Sequence, residues 1–358
     1  MILKSTVTYR VGIIGCGKMG KDLFDFLNGF TFHLTIVCKS EESVEQMKLA
    51  FDKKLKRALK YQLIDQDIFN FRNQNTLITK DLNQLASCNL LIESITEDLH
   101  LKRELFKQIE IVVPKNCIIA SNTSSISPNQ LFKKALHKER CVGLHFFFPV
   151  AVKDLAEINV SEKTDEKTVL SVKEFLNEIG KFHLVLHGKD HFLINRIFLK
   201  MQAGCCQIIK EEKYQVHEID ELVTYELFPI GIFEFFDHVG NDVMLQSVKN
   251  YIKYENDPLL YQPMMDLLEA KVNEGRLGIK TASGFYEYPR KKIVPDIEPK
   301  KKMDHILQQI THWYLDGVYD TVRNSICTDD EMEHIVKAYM MVEKNPFVLA
   351  KEVGYTPK

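Results

Sequence analysis

The sequence predicts an α/β domain followed by an all-α domain, and three observations carry that prediction. The first 188 residues alternate short apolar strands with amphipathic helical segments, the pattern of a parallel sheet covered by helices. Beyond Gly188 no convincing alternating strand remains, and apolar residues recur at helical spacing. A glycine-rich turn joins the first strand to the first helix.

In chain order, strands are expected at residues 11–15, 34–38, 76–78, 90–94, 117–120, 141–146, 155–160 and 182–187. Helices are expected at 19–27, 42–60, 99–109, 128–136 and 166–179, with Pro128 in a first turn behind the capping hydroxyl of Ser127. The second half reads as helices at 193–213, 218–226, 242–253 and 264–273. Pro289, Pro295 and Pro299 stand among charged residues and mark a linker. The expected organisation is therefore a cofactor-binding domain over 1–188, a helical domain over 189–290, a linker over 291–303 and a second, divergent helical unit over 304–358. Tyr339, Phe347, Val353 and Gly354 follow Tyr225, Phe233, Val239 and Gly240 at a constant offset of 114, which suggests duplication of a helical unit.

Composition narrows the function. At 358 residues the chain can hold two or three cores, and 45% apolar with 27% charged residues is ordinary for a globular protein. Lys plus Arg, 47, nearly balances Asp plus Glu, 49, so no global field favours nucleic acid. The eight cysteines are scattered without CxxC or zinc spacing. They read as reduced thiols in a cytoplasmic protein without a metal site. The first residues lack a signal peptide's apolar run, and no apolar stretch approaches membrane-spanning length.

Gly15-Cys16-Gly17-Lys18-Met19-Gly20 fits GxGxxG in the context the motif requires, after an apolar strand and at the start of a helix. Such glycines let backbone N–H groups approach a pyrophosphate at the helix's positive end, the signature of a Rossmann-type dinucleotide-binding domain. Gly15, Gly17, Lys18, Met19 and Gly20 are thus expected cofactor contacts. The second strand of a plain NAD site ends in an acidic residue that binds the ribose 2′-hydroxyl. Here Cys38 stands there, followed by Lys39 and Ser40, so the cofactor is expected to be NAD or NADP, with NADP tolerated or preferred.

The second chemical feature is Gly143-Leu144-His145-Phe146-Phe147-Phe148-Pro149, followed by Leu155-Ala156-Glu157. A histidine late in an apolar strand emerges at a sheet edge, and Glu157 can return beside it on a neighbouring strand. The plain alternative for His145 is a satisfied core histidine.

These blocks, with Ala120-Ser121-Asn122-Thr123-Ser124-Ser125-Ile126 and Phe192-Leu193-Ile194-Asn195-Arg196, resemble the (S)-3-hydroxyacyl-CoA dehydrogenase family, including the 3-hydroxybutyryl-CoA dehydrogenases. The resemblance runs from about residue 10 to 288 and takes in Gly231-Ile232-Phe233-Glu234, Asp237, Gly240, Lys280-Thr281 and Gly284-Phe285-Tyr286. It implies that His145 is the general acid/base, that Glu157 partners it, and that Ser124 and Asn195 bind reacting oxygens. Each residue has a physical reason beside the family's. A histidine exchanges protons near neutral pH, a carboxylate holds its tautomer, and polar side chains polarise a carbonyl. Ser124 and Asn195 can alternatively cap helices, and Glu157 can pair with a surface lysine.

Glu97, Lys102 and Asn122 are expected along the nicotinamide and substrate region. Lys48, on a basic helix with Lys53, Lys54, Lys56, Arg57 and Lys60, is a candidate for the CoA phosphates, unless that face is only solvated. The implied activity is interconversion of a 3-hydroxyacyl and a 3-oxoacyl thioester, on CoA or an acyl carrier protein. A dehydrogenase of a free 3-hydroxy acid or sugar acid and a non-catalytic cofactor-binding module are the rivals. The chain departs from the family at Phe148, where Asn is usual, and at Asp190-His191, Ile232 and Lys21-Asp22. Family members with one helical unit dimerise through it, so the resemblance implies a homodimer through the helical domain, whereas a second unit in the same chain could cover that surface and leave a monomer.

Overall fold

The structure, a computed structural model, describes residues 9–188, 192–211, 214–255, 257–290, 304–324, 326–342 and 344–357. The expected linker, 291–303, and Asp190-His191 lie outside the described residues. The chain divides into two compact units, 1–191 and 192–358.

The first unit is built on eight strands: β1 (Arg10–Ile14), β2 (His33–Val37), β3 (Thr76–Thr79), β4 (Leu90–Glu93), β5 (Ile118–Ser121), β6 (Cys141–Phe146), β7 (Leu155–Val160) and β8 (Phe182–His187). Their order in the sheet is β3-β2-β1-β4-β5-β6-β7-β8. The six strands from β3 to β6 are parallel, in the arrangement of a dinucleotide-binding sheet. Its reversal point lies between β1 and β4, where the chain's glycine loop emerges.

The expectation of a parallel sheet throughout is corrected at β7, which runs antiparallel to β6. Segment 147–154 is too short for the crossover that a parallel neighbour requires. The reversal has a chemical consequence, because it sets His145 directly opposite Glu157. β8 then adds parallel to β7.

Both faces of the sheet are covered by α1 (Lys18–Leu27), α2 (Glu41–Lys60), α3 (Gln66–Gln74), α4 (Leu99–Val112), α5 (Pro128–Leu131) and α6 (Glu166–Glu178). Alternation along β1 explains the two cores. Val11 and Ile13 enter one layer with Leu23, Phe24 and Phe175, whereas Ile14 enters the other with Phe106 and Phe132. α3 is not among the expected helices; its apolar residues Ile68, Phe69 and Phe71 are only half-buried, which leaves a short stripe among polar side chains. α5 is shorter than the predicted 128–136, and Ser127, although the N-cap residue, makes no side-chain capping bond.

The second unit comprises α7 (Leu193–Ile197), α8 (Leu199–Lys210), α9 (Val216–Glu226), α10 (Ile232–Val239), α11 (Asn241–Tyr251), α12 (Gln262–Asn273), α13 (Asp304–Arg323), α14 (Asp329–Met340) and α15 (Pro346–Glu352), with short 3₁₀ turns between some of them. The expected helix 193–213 is interrupted at Phe198. α8 is buried on nearly every side and packs lengthwise on α13. The contact is close because Gly204 faces the Trp313 ring, where a Cβ would come within 2.2 Å of it. Gly317 makes room for the Ile197 backbone in the same way.

α9 and α10 reappear as α14 and α15 at the offset read from the sequence. The two second helices are capped differently. Asp220 accepts hydrogen bonds from the backbone of Phe233 and Glu234 at the start of α10, while Asn345 caps α15 and is held by Glu333. Asp237 knits the distal turn by accepting from Phe285 N, Tyr286 N and the Tyr288 hydroxyl. Among the described residues no helix is long and apolar enough to cross a membrane.

Candidate functional site

The glycine loop leaves β1 at Ile14 and enters α1 at Lys18. Gly15 adopts φ of +106°, and a Cβ there would meet the Ser94 carbonyl oxygen at 2.4 Å. A Cβ on Gly20 would lie 1.9 Å from the Gly15 carbonyl, so the first turn of α1 can sit on the loop only without a side chain. Around Gly17, by contrast, nothing among the described residues comes within 4 Å of a Cβ position. That opening, at an N-cap with no side-chain capping bond, fits the close approach of a pyrophosphate to backbone N–H groups. Met19 is partly buried against the core, and Lys18 extends over the Phe148 ring, 4.3 Å from its centroid.

At the end of β2, Cys38 is buried, and its backbone N–H donates to Thr79 O at 2.8 Å. Burial first, and then its hydrogen bond with Cys16, push the Cys38 thiol up to about 12, so it is uncharged at neutral pH. Lys39 is exposed. Ser40 is occupied in a reciprocal cap with Ser43 at the start of α2, which accounts for its hydroxyl locally.

Three buried or half-buried glutamates organise the strand ends. Glu93, which closes β4 with no exposed surface, accepts from Lys102 Nζ at 2.6 Å, Ser121 Oγ at 2.5 Å and Ile95 N at 2.7 Å. Lys102 is only 1% exposed and also lies 3.4 Å from Glu97. Lys102, expected along the cofactor, thus has its ammonium between these two glutamates. Glu93 itself escaped the sequence reading because a carboxylate ending an apolar strand carries no local sign of its partner nine residues on.

Glu97 holds the turn after β5. Its Oε1 accepts from Thr123 Oγ1 at 2.6 Å, from the backbone of Ser124 and Ser125 at 3.0 Å each, and from Ser125 Oγ at 2.9 Å. Burial pushes this carboxyl up, but Lys102 and these hydrogen bonds outweigh it and hold it below the usual carboxylate range. Glu97 thereby fixes the backbone that presents Ser124. Asn122 serves a similar purpose, its Oδ1 accepting from Phe146 N at 2.8 Å and tying the end of β5 to β6.

His145 Nδ1 lies 2.7 Å from Glu157 Oε2, both side chains being buried. With Nδ1 engaged by the carboxylate, the tautomer carrying its proton there leaves Nε2 as the basic nitrogen. The His145 ring packs against Phe147, 4.3 Å between centroids. The following segment is tied down by Asp22, which accepts from Val150 N at 2.6 Å, and by Lys181, which donates to the Val150 and Lys153 carbonyls. Asp22, one of the departures after the glycine loop, is thus a brace between α1 and the segment that follows β6. Phe148 is 46% exposed.

Asn195, in α7 of the second unit, donates to the Tyr251 hydroxyl at 2.9 Å and accepts from the Tyr339 hydroxyl at 3.3 Å. It is a helix residue rather than an N-terminal cap. Lys48 is exposed on α2, where Lys54 pairs with Asp25 at 3.1 Å. Among the described residues no group of three His, Cys, Asp or Glu side chains is placed to hold a metal ion.

Comparison with known proteins finds relatives over most of the chain. Residues 10–190 match the family described as 3-hydroxyacyl-CoA dehydrogenase, NAD binding domain, and residues 192–288 match the C-terminal domain of the same family. The 3-hydroxybutyryl-CoA dehydrogenase of Bradyrhizobium diazoefficiens is 30% identical over 292 residues, covering 81% of this chain and 99% of that one. The mitochondrial hydroxyacyl-coenzyme A dehydrogenase of Homo sapiens is 27% identical, covering 80% and 93%.

Among solved structures, (S)-3-hydroxybutyryl-CoA dehydrogenase from Ralstonia eutropha is 29% identical, with a TM-score of 0.70 over 79% of this chain and 100% of the other. The Escherichia coli K12 3-hydroxybutyryl-CoA dehydrogenase, 18% identical, shares the fold over 97% of this chain and 92% of its own, with a TM-score of 0.80. The chain belongs to the 3-hydroxyacyl-CoA dehydrogenase family.

Proposed function

We propose that this protein interconverts an (S)-3-hydroxyacyl-CoA and the 3-oxoacyl-CoA with NAD, and the observation that carries the reading is the buried His145–Glu157 pair at 2.7 Å. NAD, when bound, supplies the hydride acceptor. His145 Nε2 takes the proton of the C3 hydroxyl during oxidation and returns it during reduction. Glu157 holds the ring and balances the charge that the ring gains, in a place where water does not.

Ser124 contributes a hydroxyl on a turn whose backbone Glu97 fixes, which suits a group that must bind the reacting oxygen in one position. Asn195 is assigned the second contact to the reacting oxygens on the family pattern. Gly15, Gly17, Met19 and Gly20 form the pyrophosphate cradle, with Lys18 beside it. Asn122 and Glu97 support the cofactor edge through the backbone they hold. Lys48 is the candidate for the CoA phosphates. The test is the nicotinamide absorbance change with acetoacetyl-CoA and NADH. Turnover that survives His145→Gln unchanged would overturn the mechanism.

The packing of α13 on α8 within one chain supports a monomer. A stable dimer through residues 222–236 in sedimentation velocity would refute that. All eight cysteines are unpaired thiols, which supports a reducing compartment such as the cytoplasm.

A further inference from the structure

The end of β2 lacks the group that would select against a phosphorylated ribose. In a sheet of this strand order the adenosine ribose rests against the residue after β2, and an acidic side chain there binds the 2′-hydroxyl and repels a 2′-phosphate. That residue is Cys38, buried and uncharged, its backbone N–H bonded to Thr79 O. The next side chain, Lys39, is exposed.

The charges around this point set the balance. Glu41 and Glu42 begin α2, and both are exposed. Glu41 is paired with Lys80, just past β3, at 2.8 Å, and Glu42 accepts from Gln46 Nε2 at 3.1 Å. Lys80 and Glu41 neutralise each other, which leaves Lys39 beside Glu42, while Asp81, next to Lys80, is turned to Asn83 and Gln84. An acidic residue at position 38 would add a carboxylate where the 2′-phosphate has to rest. Its absence leaves an ammonium next in sequence to the ribose position, with the positive end of a 20-residue helix behind it.

We propose that this site takes NADP(H) as well as NAD(H), that Lys39 is the partner of the 2′-phosphate, and that Cys38 is the position that removes discrimination. The proposal rests on the dinucleotide-binding reading of the glycine loop. It concerns binding of the dinucleotide before any chemistry, so it can be tested apart from turnover.

The experiment is direct titration of the intact protein with NADH and with NADPH, followed by nicotinamide fluorescence at low and high salt. NADPH is expected to bind within about tenfold of NADH and to weaken more steeply with salt, as a screened ion pair requires. Lys39→Ala is expected to weaken NADPH by about tenfold or more while leaving NADH nearly unchanged, since a charge-assisted hydrogen bond is lost only from the phosphate. Cys38→Asp is expected to raise the preference for NADH by about a hundredfold. Because an acid in that buried place can impair folding, Lys39→Ala, on the surface, is the deciding variant.

Tight NADH binding with NADPH weaker by about a thousandfold overturns the proposal and leaves the NAD site standing. Equal loss of both cofactors in Lys39→Ala overturns the assignment of Lys39. Failure of either dinucleotide to bind sinks the underlying reading together with the proposal.

Discussion

Tyr339, near the end of α14, donates its hydroxyl to the side-chain carbonyl of Asn195 at 3.3 Å, across 144 residues of sequence. Tyr251 accepts from the other end of the same amide at 2.9 Å. Both ends of the Asn195 side-chain amide are therefore held by tyrosine hydroxyls. The later helices thus reach a residue that the family pattern places at the substrate.

Tyr339→Phe is expected to lower kcat by about three- to tenfold with little change in KM, the worth of one neutral hydrogen bond. Asn195→Ala should lower activity further, and adding Tyr339→Phe to it should cost almost nothing, because the two act as a unit. Additive losses in steady-state kinetics would show that the contact is only structural.

His145→Gln should reduce kcat by about 10²- to 10⁴-fold, the usual worth of a general acid/base. Glu157→Gln should reduce it less, since the histidine remains but its ring loses the acceptor that orients it. Nicotinamide binding should be retained in both, which fluorescence titration checks. Loss of binding along with turnover would indicate a folding defect instead.

Lys102→Met should destabilise the first unit by about 3–5 kcal/mol, because it strands Glu93 in a water-free site. Adding Glu93→Gln should recover part of that loss by removing the stranded charge. Urea unfolding of the three proteins measures this; a single-variant effect below about 1 kcal/mol contradicts the buried-pair account.

The depressed carboxyl of Glu97 predicts a direction of pH dependence. A group whose pKa falls on folding contributes stability above its unfolded value, here 4.5, and loses it as pH falls through the lower folded value. Wild type should therefore exceed Glu97→Gln in stability at pH 7, and the gap should narrow below about pH 4.5. Melting temperatures across that range provide the check, and a gap that widens toward acid would contradict the assignment.

Much of the architecture was legible because it rests on local periodicity. Strands and helices of the first unit were placed within a few residues, since each carries an apolar stripe of period two or near four. The glycine loop was readable for another reason: φ of +106° at Gly15 and the closeness of Gly20 to its carbonyl leave only one residue type for each place. α3 and α10 escape prediction: the first has no fully buried residue, and the second is only eight residues long and rich in apolar side chains on several sides.

By itself, then, the sequence determined the α/β-then-helical order, the dinucleotide loop, the absence of an acid at position 38 and the identity of the histidine and glutamate. Only the tertiary structure decided that β7 reverses and sets Glu157 against His145. It also decided that Lys102 pairs with Glu93, and that Tyr339 reaches Asn195. The reason is physical: periodicity and backbone sterics act over a few residues, whereas a buried charge or amide takes its partner from whichever distant segment packing brings within hydrogen-bonding reach.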